Sequence, residues 1–113
     1  MSKRSDNLLV LEMLESIEKI IKYTSGWSEE DFLNSNEKSD AVIRNIEVIG
    51  EAAGNLSEAF QAVHDRVPWR QIVTMRNRLI HGYFGVSLKT IWQAVCVDLP
   101  DLYNQLRELG STQ

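Results

Sequence analysis

Residues 76 to 83 read Arg-Asn-Arg-Leu-Ile-His-Gly-Tyr, which places two arginines, one of the chain's two histidines and a tyrosine within eight positions. Histidine exchanges a proton near neutral pH, and arginine meets carboxylate or phosphate through a rigid fork of N–H donors. The chemistry on offer is therefore proton transfer beside an anion.

The segment before it, Pro68 to Met75, is read as one helix with the octapeptide at its end. At about 100° per residue, Trp69, Ile72, Val73, Met75, Leu79 and Ile80 fall on one side, with Arg76 at the centre of that side. A guanidinium stranded among apolar groups is costly unless an anion meets it, so something anionic should face Arg76. Asn77, His81, Thr74 and Arg70 share the opposite side, with Asn77 and His81 one turn apart and able to touch. Gly82 is a usual helix stop, so His81 occupies the last turn, where the dipole favours imidazolium and a proton donor is well placed. Arg76 and His81 lie about 140° apart on an ideal helix. They cannot both point straight at one small ligand unless the end unwinds or a second subunit contributes. The bland alternative is an arginine paired with an internal glutamate and a histidine that merely caps a helix.

Arg76, four residues, His81, one residue and Tyr83, within Met75-Arg-Asn-Arg-Leu-Ile-His-Gly-Tyr-Phe84, resemble the HepT-like branch of the HEPN superfamily. Ile49-Gly50-Glu51-Ala52 resembles the Gly-Glu-Ala helix of the same family, and the likeness extends over nearly the whole chain. The resemblance implies a metal-independent ribonuclease, the toxin of a two-gene module. Its antitoxin would be a small nucleotidyltransferase that adenylylates the motif tyrosine. It implies that Arg76 and His81 are catalytic and that Tyr83 is modified. Glu51 receives no catalytic role; with Asn77 and Arg78 it is kept as a supporting candidate.

Those residue types suit the implied reaction. RNA is cut without metal when its 2′-hydroxyl attacks the adjacent phosphorus, a base removes that proton, an acid protonates the leaving 5′-oxygen and a cation steadies the phosphate. One motif histidine per chain is short of an acid and base pair. A two-fold homodimer placing both copies of His81 across one groove makes up the number. The product is a 2′,3′-cyclic phosphate or its hydrolysed monoester. Adding a nucleotide at Tyr83, two residues from His81, would put bulk and negative charge where substrate phosphate must sit.

Composition sets the limits. The 113 residues are 43% hydrophobic and 25% charged, which fits one domain, residues 1–113, with a modest core that dimerisation would enlarge. A start that is charged at once and the lack of a long apolar run leave the cytoplasm as the expected location, with no membrane contact. Cys96 is the single cysteine, so no intramolecular disulfide forms, and between Val95 and Val97 it reads as a core residue. No His/Cys cluster has zinc spacing, and no Gly-rich phosphate loop is present, so neither metal nor cofactor is expected. His64 looks incidental.

The net charge of −4 argues against general RNA affinity, yet the charge is uneven. Between His64 and Tyr83, Arg66, Arg70, Arg76 and Arg78 stand against Asp65, a local +3 that leaves −7 for the rest of the chain. Trp69, Tyr83 and Phe84 are in or beside this island and are candidates to stack on bases, although core packing is the commoner fate of such rings.

The elements that must hold these residues are helical throughout. Asp6 is read as the cap of a first helix with a stripe of Leu8, Leu11, Leu14, Ile17 and Ile21. Ser28 to Asp31 start a short turn or helix through Leu33, Asn34 to Lys38 form a linker, and Ser39 caps a third helix. Its stripe is Val42, Ile46, Ile49 and Ala53, with Arg44, Glu47 and Glu51 on the other side. Glycine inside a helix costs about 1 kcal/mol against alanine, so close packing should compensate at Gly50. Glu47 and Glu51, one turn apart, are either a solvated face or a holder for an arginine. A short helix and loop over 56–67 lead to Pro68, suited to a first turn. Ser87 caps the last helix, whose Leu88, Trp92, Val95, Leu99, Leu102, Leu106 and Leu109 form a heptad stripe that Pro100 should bend.

The leading expectation is an all-α, up-and-down bundle of four to five helices, HEPN-like and homodimeric, with Arg76 and His81 lining an RNA-cleaving groove. Its rivals are a non-catalytic adaptor that binds nucleotide, RNA or the transferase, and an interaction domain in which Arg76 is buried against Glu51.

Overall fold

Five helices of this chain begin at a serine. Ser5, Ser28, Ser35, Ser57 and Ser87 each turn a side-chain oxygen onto the backbone N–H three residues on, a cap typically worth about 1 kcal/mol. The computed structural model describes residues 5–81 and 86–111. Its elements are α1 (Asp6–Thr24), α2 (Glu29–Leu33), α3 (Asn36–Gly54), α4 (Glu58–Val63), α5 (Trp69–Ile80), α6 (Leu88–Gln93) and α7 (Leu99–Ser111). A π-helical stretch, Ala94–Asp98, joins α6 to α7 so that they run on as one helix. Four long helical runs and two short ones, α2 and α4, therefore build the bundle, with no strand among the described residues.

α3 is the hub, packed against α1 on one side and α5 on the other, while α7 lies against α1. The α3 stripe is as its spacing predicts, with Val42, Ile46, Ile49 and Ala53 buried. The last helix also buries its heptad centre, Val95, Leu99, Leu102 and Leu106. α3, α5 and the last helix leave a cavity of about 440 Å³ between them, with an apolar floor of Ile46, Ile49, Ile72, Met75, Leu99 and Leu102 and polar residues that include Arg66, Asp98 and Asp101 also lining it.

Several local expectations are corrected. α1 buries Leu9, Val10, Met13, Ile17 and Ile20, whereas Leu8, Leu11 and Ile21 are exposed. Both series have helical spacing, and only the first faces α3 and α7. Ser5, not Asp6, caps α1, because the Asp6 carboxylate accepts from the Ser57 N–H at 2.9 Å and the Ser57 hydroxyl at 2.8 Å. That bond ties the first turn of α1 to the start of α4. Ser35, not Ser39, caps α3, since Ser35 Oγ takes the Lys38 N–H and Ser39 is buried one turn inside the helix. The polar run 34–38 is thus half helix.

Cys96 is exposed rather than in the core. The inward positions around it are Ala94, Val95 and Leu99, so its two valine neighbours misled; Val97 is itself 52% exposed. Pro100 lacks the N–H that would meet the Cys96 carbonyl. The ladder just before it runs in the wider register, with the Leu99 N–H donating to the Ala94 carbonyl.

Candidate functional site

α5 starts without a side-chain cap, with Pro68 at its N-cap position. It is anchored instead by Trp69, which is buried and donates its indole N–H to the His64 carbonyl at 2.9 Å. Trp69 is therefore a structural post and not a surface for a base to stack on. His64 shares that duty: its ring centroid is 4.5 Å from that of Phe60.

Gly50 brings α3 against α5 where Arg76 branches off. A Cβ at Gly50 would collide with the Cβ of Arg76 and stand 2.8 Å from its Cγ. Gly54 lies over Val73 in the same way but with room to spare, 3.7 Å to its Cγ2. Position 50 faces 72 and 76 while position 54 faces 73, so α3 packs on the middle of α5.

Arg76 is half-buried. Its Nη1 donates to Asn77 Oδ1 at 3.0 Å, and among the described residues no carboxylate pairs with it. Glu51, the expected counter-ion of the interaction-domain reading, is exposed and makes no ion pair with Arg76. Glu47 pairs locally with Arg44 at 3.7 Å. The acceptor that burial of a guanidinium calls for is thus a neutral amide oxygen, and among the described residues no anion balances the charge of Arg76.

The direction of that bond bears on the site. Asn77 stands about 100° from Arg76 on the helix and about 40° from His81. Met75, about 100° the other way, lines the cavity. The guanidinium bends to Asn77, the neighbour that precedes His81 by one turn on the same side of an ideal helix.

His81 is exposed and closes α5, its backbone N–H donating to the Asn77 carbonyl at 3.3 Å. Arg70, Thr74 and Arg78 are exposed as well. The result is a solvent-facing strip of Arg70, Thr74, Asn77 and His81, with Arg76 hydrogen-bonded to its Asn77. Arginines offer charge-assisted donors to an oxyanion, and an accessible imidazole offers proton transfer. Gly82, Tyr83 and Phe84 lie outside the described residues, and with them the expected modification site, Tyr83, and two of the three stacking candidates, Tyr83 and Phe84.

The spacing paired Asn77 with His81 and did not name it as the acceptor for Arg76. Neighbours at i and i+1 do not face each other on a helix, and only the length of the arginine arm lets it fold back. Among the described residues, no group of three or more His, Cys, Asp or Glu side chains is placed to hold a metal ion. None of the described helices is long and apolar enough to cross a membrane.

Comparison with known proteins gives one family. The model of the family described as Ribonuclease HepT-like matches residues 13–109. A chain of Thermococcus cleftensis named "Probable ribonuclease HepT" is 39% identical over 107 residues, covering 95% of this chain and 97% of its own length. A chain of Caldanaerobacter subterraneus subsp. tengcongensis, whose name marks it provisionally as an RNase, is 39% identical over 97 residues, with 86% and 87% covered. A provisionally named RNase of Methanocaldococcus jannaschii is 35% identical over 109 residues, with 96% and 90% covered. No solved structure gives a significant match.

Proposed function

Because the chain belongs to the HepT-like ribonuclease family, we propose that it is a metal-independent endoribonuclease whose reaction is carried by Arg76 and His81. The observation that carries the reading is the Arg76 guanidinium, half-buried, without a carboxylate partner among the described residues, and hydrogen-bonded to Asn77, one turn before His81. A phosphodiester supplies the missing anion.

The step runs on the RNA's own 2′-hydroxyl. Its oxygen forms a bond to the adjacent phosphorus while a neutral His81 imidazole takes the proton. The P–O5′ bond breaks, and an imidazolium delivers a proton to the departing 5′-oxygen. Arg76 holds the non-bridging oxygens as charge concentrates on them, a contribution of about 10²–10³ in rate for one well-aimed donor. A 2′,3′-cyclic phosphate and a 5′-hydroxyl are the products. Two proton-transfer roles and one motif histidine per chain call for a homodimer in which two copies of His81 face one phosphate.

In this reading the protein is a toxin. A minimal nucleotidyltransferase acts as its antitoxin by adenylylating Tyr83, which sets a phosphate and a nucleoside beside His81 and so competes with substrate. Incubation with the transferase and ATP is expected to add adenylyl mass to the Tyr83 peptide and to stop cleavage; an unmodified, silenced protein contradicts the regulatory half. The catalytic half is tested by incubating a mixed-sequence RNA with wild type, Arg76→Ala and His81→Ala. Wild type should cut, and both variants should lose about 10²-fold or more. RNA left equally intact by all three contradicts it.

A further inference from the structure

Gly50 lies inside α3, where glycine weakens a helix unless something requires it. Here the requirement is a side chain on the neighbouring helix. A methyl group at position 50 would collide with the Cβ of Arg76, stand 2.8 Å from its Cγ and 3.2 Å from the Ile72 carbonyl oxygen, where comfortable carbon contacts are about 3.5–4.0 Å. These atoms are the root of the arginine side chain and the backbone beneath it, not a mobile tip. Relief requires α5 to withdraw from α3 by of order 1 Å. Gly54 faces the same helix, yet a methyl there meets only Val73 Cγ2 at 3.7 Å, an ordinary contact. Of the two glycines that α3 presents to α5, one is required by the root of the side chain at position 76 and the other is not.

We propose that Gly50 is a positioning residue for Arg76. Its bare backbone seats the first two side-chain carbons of the arginine, and that seat fixes the line along which the guanidinium leaves α5 for Asn77. The claim rests on reading Arg76 as the cation that steadies the phosphate. Misplacing such a group by 1 Å costs about 10²-fold in turnover, whereas a packing defect alone lowers stability and leaves the folded fraction active. Gly50 therefore acts on the reaction only through Arg76.

The test is a cycle of four variants, Gly50→Ala, Gly54→Ala, Arg76→Gly and the double Gly50→Ala/Arg76→Gly. Each is read by kcat on a short RNA, with and without added guanidinium chloride, and by Tm. Gly50→Ala should lose about 10²-fold in kcat, while Gly54→Ala keeps the wild-type value. In the Arg76→Gly background the colliding carbons are gone, so the added methyl should cost no further activity, guanidinium should restore both variants equally, and the double variant should melt above Gly50→Ala. The double variant keeps the test open even when Gly50→Ala alone fails to fold. The proposal is overturned by wild-type kcat in Gly50→Ala, by a further tenfold loss on adding Gly50→Ala to Arg76→Gly, or by a double variant no more stable than Gly50→Ala. If wild type itself cuts no RNA, the nuclease reading falls by that result, and the Tm cycle still decides whether Gly50 forms the seat of Arg76.

Discussion

Arg76 gives its guanidinium hydrogen bond to the side chain of its own neighbour, Asn77, at 3.0 Å. Asn77 in turn precedes His81 by one turn of α5. Replacing Asn77 by alanine leaves the guanidinium free to swing, and kcat on RNA should fall about tenfold, the equivalent of ~1.4 kcal/mol of transition-state stabilisation. Asn77→Asp keeps the acceptor but sets a negative charge beside the substrate phosphate, so it should raise KM more than it lowers kcat. Steady-state kinetics on one oligonucleotide separate the two; equal effects on both parameters from both variants would remove Asn77 from the site.

The bundle could be read from the chain because its long helices carry unambiguous stripes. Val42, Ile46, Ile49 and Ala53 in α3 and Leu99, Leu102 and Leu106 in α7 face the core as their spacing predicts. α1 was misread because Leu8, Leu11 and Ile21 also repeat at helical spacing, and a helix with two apolar sides does not say which one is covered. Caps failed where a residue of capping type had a distant partner, as Asp6 has in Ser57, fifty-one positions away. Within the site, the wheel positioned Cα atoms but not the end of a long side chain, so the bond from Arg76 to Asn77 was hidden. The closeness at Gly50 was signalled by a glycine inside a helix; its partner was not, because no local pattern names the residue on another helix.

The dimer makes a quantitative demand. If one phosphate needs two copies of His81, co-expressing wild-type and His81→Ala subunits should lower activity as the square of the wild-type fraction, since only dimers with two intact copies cut. A linear decline would show that each chain acts alone and would remove the two-histidine site. Subunit fractions are read by mass spectrometry and activity by RNA cleavage.

The arginine island should announce itself through salt. Arg66, Arg70 and Arg78 are exposed, so RNA affinity should fall steeply with ionic strength, each single-strand phosphate contact adding about −0.7 to the slope of log K against log salt. Arg70→Ala should flatten that slope by about 0.7 and weaken binding to all sequences alike. An unchanged slope would place Arg70 outside the RNA path.

Tyr103 supplies a pH signature of the fold, separate from catalysis. Its hydroxyl donates to Glu18 Oε2 at 2.7 Å and ties α7 to α1. That hydrogen bond is the main reason its pKa is raised above the ordinary 10.0. The folded protein prefers the neutral phenol, so the stabilisation is fully present below pH 10 and is lost as the pH climbs through the raised value. The melting temperature of wild type should exceed that of Tyr103→Phe below pH 10, with the gap closing above it. A gap that stays constant across this range would contradict the linkage.

The most direct test of the reaction assigned to Arg76 and His81 uses one oligoribonucleotide and its copy with a single 2′-deoxy sugar at the cleaved position. Wild type should cut the first to a 2′,3′-cyclic phosphate and a 5′-hydroxyl, seen by mass, and leave the second whole at that position, while His81→Ala leaves both whole. Equal cutting of the two substrates, or full activity in His81→Ala, would show that neither the 2′-hydroxyl nor this histidine takes part.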